Sequence, residues 1–129
     1  MIGGFIMLKR RVMKVNVLGT EYEIQRKDYA EDPDFKKRES VGYCDSLLKI
    51  IVVCNMLTYP GYEDEPAEAI TLAEKEILRH EIIHAFFRES GLWNNSGTVD
   101  AWATNEEMVD WIALQFPKIL KAFQETDCL

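Results

Sequence analysis

Residues 67–90 contain no proline or glycine, and Gly91 follows where a helix would stop. Glu63-Asp64-Glu65 and Pro66 lie just before this stretch. Acidic side chains there complement the partial positive charge of a helix N-terminus. A long helix is therefore predicted over residues 67–90. Ile82, Ile83, Ala85, Phe86 and Phe87 place apolar groups on most of its sides, so the helix must be central, with the rest of the chain wrapped around it. A chain of 129 residues can supply one such domain but not two, and it shows no repeat, low-complexity segment or linker. The expectation is one domain over residues 1–129, with residues 1–11 as a tail. Met1 to Leu8 is apolar, but basic residues follow it instead of preceding it, and the run is too short for a signal core or a membrane span.

Before the helix the pattern is that of strands. Met13, Val15 and Val17 alternate with Lys14 and Asn16; Leu18-Gly19-Thr20 interrupts, and Glu21 to Gln25 resumes, which predicts a hairpin. Tyr29 to Ser40 is charged and contains Pro33, as expected of a long loop or a short irregular helix. Val41 to Cys44 and the continuous apolar run Leu47 to Val53 read as further strands, the second buried. After the turn-rich residues 94–98, a second helix is expected over residues 105–125, its apolar positions including Met108, Val109, Trp111, Ile112, Leu114, Ile119, Leu120 and Phe123. Pro117 should end or kink it near Phe116, and residues 126–129 should fray. The fold class is α+β, with a three- or four-stranded, mainly antiparallel sheet.

A net charge of −7 and a pI near 4.8 argue against nucleic acid or an anionic membrane as partner. Lys9-Arg10-Arg11 and Lys36-Lys37-Arg38 read as solvated charge runs. Cys44, Cys54 and Cys128 form an odd set without a CxxC pair, which fits a reducing, cytoplasmic setting. Cys44 and Cys54 read as small buried hydrophobes.

The predicted central helix carries His80-Glu81-Ile82-Ile83-His84, and these are the only two histidines in the chain. Residues four apart share a helix face, so both imidazoles can reach one tetrahedral ion at about 2 Å. Glu81 stands about 100° around the helix, where it can touch an activated water without ligating the metal. Zinc in such a site brings the pKa of water to about 7, and the carboxylate can take the proton as the water attacks a carbonyl. Catalytic zinc keeps three protein ligands, and Asn105-Glu106-Glu107-Met108-Val109-Asp110 offers the third. Glu106 is favoured over its neighbour Glu107. Asp110 follows Glu106 by one turn and can hold a ligand histidine in the right tautomer, whereas one turn after Glu107 stands Trp111.

Together, His80-Glu81-Ile82-Ile83-His84 and the downstream Asn105-Glu106-Glu107-Met108-Val109-Asp110 resemble the gluzincin pattern of thermolysin-type zinc peptidases. The compactness is most similar to the small ImmA/IrrE-type metallopeptidases of bacteria, phages and mobile elements, where Glu106, Val109, Asp110, Ile112 and Ala113 match the second run. The resemblance covers residues 77–114 and implies a minimal zincin-like domain, in which a small sheet packs on the HExxH helix and a second helix brings the last ligand. It also implies cleavage of a protein or peptide, in some members a transcriptional repressor. The chain has no helix-turn-helix segment of its own. With no third histidine, oxyanion stabilisation would fall to the zinc, to Arg88, or to Tyr43, Tyr59 or Tyr62. An edge strand beside the helix, either Leu47 to Val53 or Val41 to Cys44, would receive an extended substrate. Trp93 and Trp102 could wall the cleft or pack in the core. A second reading from a different class is a non-catalytic, zinc-stabilised interaction module, although a structural site would need a fourth protein ligand. Hydrolysis of a non-peptide substrate by the same water is a third.

Overall fold

The structure, a computed structural model, describes residues 13–93 and 106–129, with the backbone alone for Glu106, Val109, Asp110 and Ala113. Strands β1 (Met13–Val17) and β2 (Thr20–Asp28) form the expected hairpin. Val15, Val17, Tyr22 and Ile24 point into the core while Lys14 and Asn16 face out. The turn needs left-handed backbone at both central residues: Leu18 lies at φ 52° and Gly19 at φ 93°. The Asn16 side chain steadies it by accepting the Gly19 N–H at 2.8 Å. A 3-10 turn and helix α1 (Pro33–Lys37) follow, with Asp32 capping α1 through the Asp34 N–H at 3.0 Å.

Strands β3 (Gly42–Asp45) and β4 (Ile50–Asn55) complete a four-stranded sheet of order β1-β2-β4-β3. The sheet is mixed: the mainly antiparallel expectation holds at its two outer pairs and not at its centre. The outer pairs are antiparallel, but β2 and β4 run parallel. After β2 the chain crosses over through α1 and lays β3 on the outside, so β4 returns in the direction of β2. β4 is apolar from Ile50 to Cys54, as suits a strand covered on both faces, and ends on Asn55. Ile51 and Val53 join Leu78, Ile82, Phe86, Ile119 and Phe123 in the main core. Val52 and Cys54 join Phe35, Met56 and Ile70 in a second cluster, bordered by Tyr29, Tyr43, Tyr59 and Tyr62.

Helix α2 (Ala67–Glu89) borders both clusters and is central, as its composition required. Helix α3 (Glu106–Glu125) packs Ile119, Ala122 and Phe123 into the main core. Three local expectations need correction or narrowing. Leu47 and Leu48 are not strand residues: they are 91% and 69% exposed in the β3–β4 turn, because the Asp45 carboxylate accepts both their N–H groups and pulls the chain out of extended conformation. Of the two outcomes expected at Pro117, only an end of the helix is excluded, since α3 runs through it; the residue is exposed, where water can take up the carbonyl that the missing N–H leaves. Residues 126–129 do not fray. Thr126 and Cys128 are fully buried, and Arg79 donates to the Cys128 carbonyl at 2.6 Å, tying the C-terminal turn to α2. Among the described residues no helix is long and apolar enough to cross a membrane.

Candidate functional site

His80 and His84 stand one turn apart on α2, and their Nε2 atoms face each other at 3.1 Å. Two nitrogens bound to one tetrahedral ion at about 2.0–2.1 Å would be about 3.3 Å apart, so the pair needs almost no movement to grip a cation. An N–H of one ring shared with the other nitrogen also accounts for the spacing when no ion is bound. The rings stack edge to face with centroids 4.7 Å apart. His80 is exposed and His84 half-buried; burial, then the charges of His80 and Arg88, hold the His84 pKa below the ordinary imidazole value.

Glu81 is turned away from water, with 6% of its surface exposed. Among the described residues none donates a hydrogen bond to it. Burial pushes its pKa up to about 7, against the opposing pull of Arg38. Gly42 on β3 is what lets the sheet edge come this close. A Cβ there would lie 2.6 Å from Ile77 Cγ2, 3.0 Å from the Val52 carbonyl and 3.4 Å from Glu81 Cγ. A lone glycine inside a strand pattern signals close approach of another element, and this was the available clue.

A cavity of about 270 Å³ opens over these groups, lined among others by Arg38, Gly42, Cys44, His80, Glu81, His84 and Arg88. A second, of about 240 Å³, shares Ser40, Gly42, His80 and Glu81 with it and extends toward Glu76. The two make one groove between α2 and β3. Because β3 is the outermost strand, its far edge has no partner strand among the described residues. Of the two candidate edges, Val41 to Cys44 is therefore the one that qualifies, and β4 is interior. A larger hollow of about 430 Å³ near Lys118 and Lys121 shares no lining residue with the groove.

Trp93 is 49% exposed at the groove mouth, with the Arg88 guanidinium 4.2 Å from its ring centre. Arg38 covers Tyr43, 4.6 Å from the ring centre, and the Tyr43 hydroxyl donates to the Asp32 carboxylate. With that hydroxyl engaged, Tyr43 supports the wall, while Tyr59 and Tyr62 pack against the second cluster. Cys44 is half-buried: it packs against the main core, as its apolar reading expected, and also lines the groove; burial drives its thiol pKa up to about 12. Arg38, read as one charge in a solvated run, also faces the groove.

Helix α3 lies beside the end of α2. Trp111 meets Phe87 edge to face at 4.8 Å and donates from Nε1 to Ser90 Oγ at 3.2 Å, and Phe87 lies 6.4 Å from the His84 ring. Glu107 is exposed in the first turn of α3. The side chains of Glu106 and Asp110, and all of Trp102, lie outside the described residues. Among the described residues no three His, Cys, Asp or Glu side chains gather as a metal site. Set against protein-family models, curated proteins and solved structures, the chain matches none.

Proposed function

We propose that this chain is a zinc-dependent metallopeptidase of the HExxH type, with a minimal zincin-like arrangement. His80, His84 and Glu106 would hold the ion, Asp110 would orient a ligand histidine, and Glu81 would act as the general base. The observation that carries this reading is the pair of facing Nε2 atoms, 3.1 Å apart, next to a sequestered Glu81 in a groove walled by an edge strand. Zinc, when bound, supplies a positive charge that polarises a carbonyl and makes water a nucleophile near neutral pH.

The chain's own residues account for the remainder. The Glu81 carboxylate takes a proton from the attacking water and returns it to the leaving amine nitrogen. Its buried position keeps competing solvent away. An extended peptide can add to the open edge of β3, where backbone N–H and C=O groups would hold it across the histidines. The substrate is thus a protein or peptide, and a transcriptional repressor is one candidate; nucleic acid and membrane are not proposed as partners, and the setting proposed is cytoplasmic.

Metal analysis of wild type beside Glu106→Gln and Glu107→Gln tests the ligand set. The expected result is one zinc per wild-type chain, lost with Glu106→Gln and kept with Glu107→Gln. A wild-type chain that takes up no zinc would end this reading. Zinc whose removal unfolds the domain, with no cleavage of any peptide, would favour a stabilised interaction module instead.

A further inference from the structure

The groove is electrostatically unlike the chain that contains it. The protein carries a net charge of −7, yet the cavity over the histidines is lined by two arginines, Arg38 and Arg88, and, among the described residues, by one carboxylate, Glu81, while Glu76 lines the adjoining end of the groove. Each guanidinium lies on an aromatic ring: Arg38 on Tyr43 at 4.6 Å and Arg88 on Trp93 at 4.2 Å. Stacking occupies the face of a guanidinium and leaves its in-plane N–H groups free for a carboxylate. Tyr43 is itself held, through its hydroxyl, by Asp32, the residue that caps α1. The only ion pair to Arg38 among the described residues is Asp34 at 4.0 Å, half-exposed and long, which a better-placed carboxylate can displace. The two forks are thus presented to the groove on aromatic platforms, that of Arg38 tethered through the Tyr43 hydroxyl.

Resting on the peptidase reading, we infer that Arg38 and Arg88 select a peptide carboxylate next to the bond to be cleaved. That carboxylate is either an Asp or Glu side chain or the free C-terminus of the substrate. An acidic protein repels such a group over most of its surface, so a local pair of arginines directs it to one place. Arg38 lies on the segment before β3 and Arg88 two turns along α2 from Glu81, so the two arginines approach the groove from different walls.

Binding tests this without relying on turnover. The Glu81→Gln chain, and in parallel the metal-free wild type, would be titrated by calorimetry with short acetylated peptides. One set carries a single Asp or Glu with an amidated end; a second carries the Asn or Gln isostere; a third has no acidic side chain but a free C-terminus. The expected result is binding at least about tenfold tighter for one acidic set than for the amide isosteres, as charge-assisted hydrogen bonds supply. Which set gains identifies the source of the carboxylate. Arg38→Gln and Arg88→Gln should each remove most of that preference while melting like the parent, since both side chains are exposed. Equal binding of acid and amide, no binding of any peptide, or a preference that survives in both arginine variants would overturn the inference. Retained acid preference with no cleavage by the zinc-loaded wild type would overturn the peptidase reading and leave the carboxylate site standing.

Discussion

Glu81 and Gly42 are both held under tight local constraint. Glu81 has a carboxylate buried beside two imidazoles without a donor among the described residues, a costly arrangement that a merely structural helix would avoid. Glu81→Gln should keep zinc and the fold but lower cleavage by roughly 10²–10⁴-fold, the share of a general base. Metal content and turnover measured on one preparation check this, and undiminished cleavage would refute the assignment. Gly42→Ala should cost about 1–3 kcal/mol, because the new methyl meets Ile77 Cγ2 at 2.6 Å and a backbone carbonyl at 3.0 Å. The same change moves β3 from Glu81, so activity should fall by more than the loss of stability explains; urea melts and cleavage rates separate the two.

Between elements, the strongest polar ties hold the sheet to α2. Glu89, in the last turn of α2, accepts from Thr20 Oγ1 at 3.0 Å, Tyr22 at 2.7 Å and Lys49 Nζ at 2.7 Å, binding both hairpins to the helix end. Burial pushes the Glu89 pKa up, but the hydrogen bonds from Lys49, Tyr22 and Thr20 outweigh it and hold the carboxyl below the ordinary range. A depressed folded-state pKa stabilises the protein above the unfolded value near 4.5, and that stability is lost as the pH falls through the lower folded value. Glu89→Gln should therefore cost roughly 1–3 kcal/mol at pH 7 and flatten the acid side of the stability curve. Thermal melts of both chains from neutral to strongly acidic pH test it; parallel curves would contradict it.

Across the whole molecule, one buried ion pair links the middle of the sheet to the first half of α2. Arg26 meets Glu74 through two bonds of 2.6 and 2.9 Å, and Glu74 also accepts the Met56 N–H at 2.9 Å. The side chains are only 6% and 2% exposed. Arg26→Met alone should destabilise by about 3–5 kcal/mol, since it strands a buried carboxylate, and Glu74→Leu added to it should recover part of the loss. A double-mutant cycle measures this. Zinc that binds the folded chain must also raise its melting temperature with rising free metal, by mass action. A chelator should reverse the rise, and a melting temperature indifferent to both would show that no ion is held.

Local patterns were enough to reveal the hairpin, the long helix and its punctuation, the apolar β4 core and the juxtaposition of His80 with His84. Each of these depends on neighbours within a turn or two, where backbone geometry leaves few alternatives. The arginine pair in the groove, the parallel contact of β2 with β4, the Arg26–Glu74 clamp and the docking of Cys128 on α2 depend instead on residues tens of positions apart. Leu47 and Leu48 show the limit from the other side: an apolar run reads as strand until one carboxylate, Asp45, captures its N–H groups. Periodicity reports which face of an element is apolar, but it carries no record of which distant surface will cover that face.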